Sequence, residues 1–462
     1  MQSHHEFLSI LTANEQAKAQ GRWGAARVVV VSLSPQVIVS FAAKYGTSPT
    51  EAACRLAAVM RSLGVDFVFE TGFARDLALM RIAQEFVDRY RQSESATAPP
   101  SSSATSALPM LASACPGWIC YAEKSQPHAL PYISRTKSPQ QVMGAMVKSF
   151  VGQQLPTFAA RSPLKCDMPT LLTHPVAPHQ IYHLCVMPCY DKKLEASRSD
   201  FVLPNSEVKE VDCVISAGEL ELLLQEQSIR FDQVVGIPLD SMLTKHLSGT
   251  TSMSSDPDWT LARAAGTSSG GYLEFILAYA ARQLFGLDLQ TDQIDRDNGS
   301  AYIQTRTVRN PDFREVTLML PDGTVGLKFA ATYGFRNIQT LVRKLKLGRC
   351  PYQFVEVMAC PSGCINGGGQ LRTALVPASA GDSSPVPTAP ETRLSPKEWV
   401  QHCESMYRAL PTQDPAHNVQ LAELLAAWLG PKGICSTGAD QWLQTSYHAV
   451  EDQPSATVAV NW

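Results

Sequence analysis

The sequence predicts an α/β protein in which mostly parallel sheets are flanked by helices. Apolar strand-like runs alternate with helical segments over residues 27–91, and the same alternation recurs over 182–227, the pattern of parallel strands joined by covering helices. Helix starts carry their own chemistry, with Ser48-Pro49 before Glu51 and Ser216 three residues before Glu219, both signatures of a capped first turn.

In chain order, Arg27 to Ser32 is a β-branched run, followed by a helix that opens at Ser48, Pro49 and Glu51 and ends before Gly64. Val65 to Glu70 reads as a second strand and Ala74 to Arg91 as a second helix. Residues 93–106, SESATAPPSSSATS, lack large apolar groups and mark a flexible insertion. Tyr182 to Val186 and Val211 to Ile215 are strands, and Ser216 with Glu219 opens a helix reaching Gln227. Gly271 and Gly286 bracket a further helix. Glu315 to Leu320 and Leu327 to Ala331 flank the hairpin signal Pro321-Asp322-Gly323. Phe335 to Leu347 is a helix closed by Gly348, and Tyr352 to Ala359 a buried strand. Residues 373–396 form a second Pro/Ser/Ala-rich linker, and 397–430 hold two short amphipathic helices.

Composition narrows the class. The chain has 462 residues, 45% of them hydrophobic and 18% charged, enough for about three domain-sized units and too apolar for a solvated coil. With 39 Lys+Arg against 42 Asp+Glu the net charge is −3, which exerts no bulk pull on nucleic acid or an anionic membrane. The best candidate span, Val28 to Ala43, is broken by Ser32, Ser34, Pro35 and Ser40. The first residues, MQSHHEFLSILTANEQ, lack a basic n-region followed by an apolar h-region. A reducing compartment is therefore expected, with the 12 cysteines as thiols or metal ligands.

Three stretches gather cysteines beside prolines and glycines: ACPGWIC with Cys115 and Cys120, LCVMPCYDKK with Cys185 and Cys189, and ACPSGCINGGGQ with Cys360 and Cys364. In the last two the cysteine turn follows an apolar run, so the thiols are expected at strand ends, where α/β folds build sites. A thiolate is stabilised by backbone N–H groups in open turns. Gly363, Gly367, Gly368 and Gly369 would let amides approach and donate to cluster sulfur. Spacing alone leaves three readings open: a buried small-residue turn, a Cys₄ zinc site, or a cubane iron–sulfur cluster.

Read together, the stretches resemble the three signature motifs of iron-only hydrogenases, TSCCPGW, MPCxxKxxE and ExMxCxxGCxxGGGQ. They stand here as Ser113-Ala114-Cys115-Pro116-Gly117-Trp118, as Met187-Pro188-Cys189 with Lys192 and Glu195, and as Glu356 through Cys360 and Cys364 to Gly367-Gly368-Gly369-Gln370. With SPQQVMG, CYDKKLEASR, SGGYLE and YGFRNIQ, the likeness covers nearly the whole chain and is closest to the eukaryotic hydrogenase-like family of cytosolic iron–sulfur assembly factors, related to the nuclear prelamin A recognition factor.

The resemblance implies two α/β lobes like the hydrogenase large domain, with one [4Fe–4S] cluster in the cleft between them on Cys115, Cys189, Cys360 and Cys364. Lys192, Glu195, Gly367, Gly368 and Gly369 would surround it. Residues 110–372 would be the cluster-binding region, completed by an α/β unit over 1–92, with linkers at 93–109 and 373–396 and C-terminal helices and tail over 397–462. Cys54, Cys120, Cys166, Cys185, Cys213, Cys350, Cys403 and Cys435 are expected as plain thiols. Hydrogenases relay protons through the first cysteine of TSCCPGW; Ala114 cannot exchange a proton, so no enzyme activity is expected. The assembly factors also carry an upstream C-x₂-C-x₂-C run for a second cluster, and no C-x₂-C occurs in this sequence, so one cluster is expected.

The implied function is a cytoplasmic component of the iron–sulfur assembly machinery, with the nucleus as a second compartment. It would be an adaptor between the early cluster scaffold and the late targeting complex, a WD-repeat propeller with associated subunits, with no nucleic-acid or membrane partner. The competing readings are a nuclear prelamin-binding protein, a redox enzyme of hydrogenase type, and a structural zinc protein. The terminal Trp462 joins an aromatic group to a carboxylate and suits capture in a partner groove. His4, His5, His174, His179 and His183 read as solvated or core histidines. Arg343, Lys344, Lys346 and Arg349 complement a helix C-terminus, and Trp118 is expected to pack beneath the cluster loop.

Overall fold

In the computed structural model, which describes residues 2–95, 108–159, 174–241, 261–296, 301–372, 394–436 and 438–450, the β-branched run becomes β1, Val28–Leu33, buried at every position. It pairs in parallel with β2, Phe67–Glu70, on one side. On the other lies β4, Ile181–Met187, also parallel, followed by β5, Cys213–Ser216. Side chains alternate across a strand. Val29, Val31 and Leu33 accordingly enter one core and Val28 and Val30 the other, so both faces of β1 are dry, as a central parallel strand requires.

The second sheet has the order β3-β9-β8-β7-β6. Here β3 is Met110–Ala112, β6 Ile303–Thr307, β7 Phe313–Met319, β8 Val325–Tyr333 and β9 Phe354–Met358. The pairs β3–β9 and β9–β8 are parallel, whereas β8–β7 and β7–β6 are antiparallel. The hairpin is made by Pro321-Asp322-Gly323, with Gly323 at φ +83° and the Asp322 carboxylate accepting from the Thr324 N–H at 2.9 Å. Each sheet has its own core, and the helix Gly72–Glu94 serves both. Its Ala74, Leu77 and Ala78 pack on the first lobe, and its Leu79, Ile82, Ala83, Phe86 and Val87 on the second.

Two expectations are corrected. Residues 27–91 contain three helices, because Pro35–Lys44 is helical as well. Val37, Ile38, Val39, Phe41 and Ala42 are all buried, so this helix shows no polar face and its period is hidden. At Ser48 the hydroxyl caps Glu51 as expected, but the Glu51 carboxylate turns to Arg55, 2.8 Å away, instead of returning to Ser48. At Ser216 the reciprocal capping box with Glu219 is complete.

The segment 93–106 is helical through Glu94, and its residues 96–106, like most of the linker at 373–396, lie outside the described residues. The C-terminal helices Pro396–Arg408 and Val419–Leu429 pack into the first lobe, through Trp399, Val400, Cys403 and Tyr407 on one face of the sheet and Leu421, Leu424 and Leu425 on the other. Among the described residues no helix is long and apolar enough to cross a membrane.

Where β2 gives way to the shared helix, Glu70 is half-buried beside the buried Arg75 and Asp76. Burial pushes its carboxyl up from 4.5 to about 7, against the opposing pull of Arg75 and the Gly72 N–H. Between those values the folded chain binds the extra proton, so this group's contribution to stability is lost as pH rises from 4.5 toward 7. Urea unfolding at pH 5, 6 and 7 is expected to give a flatter profile for Glu70→Gln than for wild type, the difference reaching at most about 1.4 kcal/mol per pH unit.

Candidate metal centre

Three parallel strands deliver the cysteine turns to the cleft between the lobes. After β3, the Ser113 hydroxyl donates to the Val357 carbonyl of β9 at 2.5 Å and accepts the Cys115 N–H at 3.0 Å. This sets Cys115 as the N-cap of the helix Pro116–Ser125, with Pro116 at its first position. After β4, Cys189 leads into the helix Asp191–Ser197. After β9 the chain reaches Cys360 and turns back through Ser362 and Gly363, both left-handed at φ 60° and 78°, to Cys364. There the amide donates to the Ser269 hydroxyl at 3.1 Å.

Cys115, Cys189, Cys360 and Cys364 are thereby brought together. Burial raises all four thiols above their ordinary 9.0: Cys189 to about 12, Cys360 to about 11, Cys115 upward and Cys364 well above. Ionised Cys115, Cys189 and Cys360 would further oppose ionisation of Cys364. Four thiolates can therefore coexist here only around a positive core. Pulling the other way are the Ala359 N–H, 3.4 Å from the Cys115 sulfur, the Trp118 N–H toward the same sulfur, the Lys192 N–H toward Cys189, and the Lys192 ammonium.

Lys192 and Glu195 are buried in the cleft. The ammonium donates to Glu195 at 2.9 Å and to Ser138 at 3.0 Å, and Ser138 also donates to Glu195. Burial alone would lower the Lys192 pKa, but Glu195, followed by Cys189 and Cys364, outweighs it and keeps the side chain charged.

Four cysteines are a donor set that fits either a structural zinc ion or a cubane iron–sulfur cluster.

The glycines work by proximity. The amides of Gly363, Gly367 and Gly369 donate to the carbonyls of Cys360, Cys364 and Pro188 at 3.1, 3.0 and 3.0 Å. A Cβ at Gly367 would lie 2.3 Å from the Pro188 carbonyl oxygen, and one at Gly369 would lie 2.6 Å from the Ser216 Cβ. Both glycines let the loop after Cys364 close on the Cys189 turn.

Ala114, Cys115, Cys120, Ser138 and Glu195 line one small cavity. Cys185 instead sits 3.6 Å from His183 Nε2 within the first sheet. Trp118 is fully buried in the second core, and His183 is a core histidine that accepts or donates at Ser32, 2.8 Å away. Ser113 and Ser269 were not singled out from sequence, although Ser113 begins one motif and SGGYLE contains Ser269. Cys166 and Trp462 lie outside the described residues.

The three loop glycines are thus inequivalent. Gly367→Ala is expected to cost about 1–3 kcal/mol through overpacking against backbone, whereas Gly368→Ala, whose Cβ would find Tyr190 at 3.9 Å, is expected to be near neutral. Urea midpoints of the two variants check the contrast.

Comparison with known proteins identifies the family and the fold. Residues 27–368 match the family described as iron only hydrogenase large subunit, C-terminal domain. The chain is 43% identical to the cytosolic Fe-S cluster assembly factor narfl of Danio rerio over 462 residues, covering 100% of this chain and 95% of the relative. It is also 43% identical to the cytosolic iron-sulfur assembly component 3 of Mus musculus, covering 100% of this chain and 82% of the relative. Among solved structures, a variant of the apo [FeFe]-hydrogenase of Chlamydomonas reinhardtii superposes with a TM-score of 0.66 at 26% identity, covering 92% of this chain and 95% of the other. The chain belongs to the iron-only hydrogenase large-subunit family, within the branch of the cytosolic iron–sulfur cluster assembly factors.

Proposed function

We propose that this chain is a component of the cytosolic iron–sulfur protein assembly machinery that holds one [4Fe–4S] cluster on Cys115, Cys189, Cys360 and Cys364. The observation that carries the reading is the convergence of four thiols, Cys115 buried and the others partly buried, from three strand ends, with backbone N–H donors at two of the sulfurs and the Lys192 ammonium beside them. The names of the full-length relatives support the assembly role and the cytosolic setting.

A bound cubane supplies a sulfur-bridged iron core capable of one-electron exchange. The chain's residues hold and insulate it. The cysteines bind, the amides of Ala359, Trp118 and Lys192 stabilise sulfur charge, and the Lys192–Glu195–Ser138 cluster keeps a fixed cation at the cleft. Ala114 supplies no proton-exchanging group beside Cys115. The chain is therefore read as a non-catalytic adaptor bridging the early scaffold and the late targeting complex, with Trp462 docking on that complex.

Anaerobic purification with iron, sulfide and zinc quantification tests the cluster. About four irons and four sulfides per chain, with an EPR signal on reduction that Cys360→Ala loses, is the expected result. Stoichiometric zinc without sulfide after iron-replete expression would overturn it. Removal of Trp462 is expected to abolish capture of the chain by the immobilised targeting complex while leaving iron content unchanged.

A further inference from the structure

Away from the cleft, two histidines set aside in the sequence as solvated or core groups meet a carboxylate more than two hundred positions later. His4 and His5 open the helix His4–Ala19, and Glu226 ends the helix Ala217–Glu226. His4 Nε2 lies 3.3 and 3.2 Å from the two Glu226 carboxylate oxygens, and His5 Nδ1 lies 3.8 Å from one of them. The three ligand atoms all fall within 4.8 Å of one another, and the two rings have centroids 4.0 Å apart.

These spacings suit a single small ion. Nitrogen and oxygen ligands at about 2.0–2.2 Å from a tetrahedral metal stand about 3.3–3.5 Å apart.

The ligands are held from both sides. The His4 side chain is only 9% exposed. Gln2 just before it donates to the Lys193 carbonyl at 2.9 Å and accepts the Val214 N–H at 3.0 Å. The Ser3 hydroxyl accepts the Glu6 N–H, and Phe7 and Leu11 anchor the helix in the first core.

Helix polarity points the same way. A carboxylate at a helix C-terminus faces the negative end of the dipole, and imidazoles at a helix N-terminus face the positive end. Glu226 therefore gains from a cation.

We propose that His4, His5 and Glu226 form a binding site for one zinc ion, with its fourth position open to solvent. Two imidazoles and one carboxylate are a zinc donor set. The ion joins the helix His4–Ala19 to the helix Ala217–Glu226. The first turn of the latter touches the cysteine loop, through the Gly218 N–H donating to the Gly369 carbonyl at 3.0 Å. The clip thus braces the element on which that loop rests, and its existence does not depend on what the cysteines hold.

Zinc titration calorimetry on the full chain, with zinc K-edge absorption on the same sample, tests the site. The expected result is one zinc with nitrogen and oxygen ligands at about 2.0–2.1 Å, bound at least tenfold more weakly by His5→Ala and Glu226→Gln and unchanged in His174→Ala. His5 and Glu226 are exposed enough for both variants to fold, which their urea midpoints check. Zinc held by sulfur alone at about 2.3 Å, or bound with equal affinity by the two ligand variants, would overturn the proposal.

Discussion

Four thiols gathered in one cleft oppose one another's ionisation, and the arrangement around them answers that constraint. Each thiol is raised by burial, and Cys364 is opposed by the other three as well. Relief comes from short-range dipoles and one fixed cation: amides reach the Cys115 and Cys189 sulfurs, and Lys192 stays charged because Glu195 accompanies it into the interior. A buried pair of this kind contributes little to folding by itself. Its value here lies in holding positive charge at a set position.

The positions of the thiols follow from sheet architecture. Side chains beyond the carboxyl ends of parallel strands face a crevice in α/β folds, and β3, β4 and β9 all end in this one. β3 and β9 are neighbours, so Cys115 and Cys360 start from adjacent strands, tied by the Ser113 contact to Val357. β4 belongs to the other sheet, so the lobes must keep a fixed separation for Cys189 to meet them. The shared helix Gly72–Glu94 provides one tie. A second is the bidentate pair of Arg198 with Glu123, at 2.7 and 2.8 Å, which joins the segment after the Cys189 helix to the helix that Cys115 caps.

The same fold hosts hydrogenases and assembly factors, and fold by itself does not decide between them. The local features are what an account of function has to rest on: Ala114 stands beside Cys115, and the Lys192 ammonium is held by Glu195 and Ser138.

Much of this was legible in the sequence. The β-branched run of β1, the Ser216–Glu219 capping box, the Pro321-Asp322-Gly323 hairpin and the glycines bracketing the helix Tyr272–Phe285 are local signals, set by interactions within a few residues, and they appear as read. The four cysteine turns stood out because their motifs are ordered and dense, and the fold carries all four to one cleft. The helix Pro35–Lys44 was not, since a helix buried all round carries no polar period. Nor could spacing distinguish Gly367, pressed against the Pro188 carbonyl, from Gly368, which has room. The meeting of His4 and His5 with Glu226, and the turn of Glu51 toward Arg55, depend on which surfaces pack together. Local propensity and motif order belong to the sequence by itself; contacts across hundreds of residues exist only once burial has chosen which faces leave water, and that choice is made by the tertiary structure.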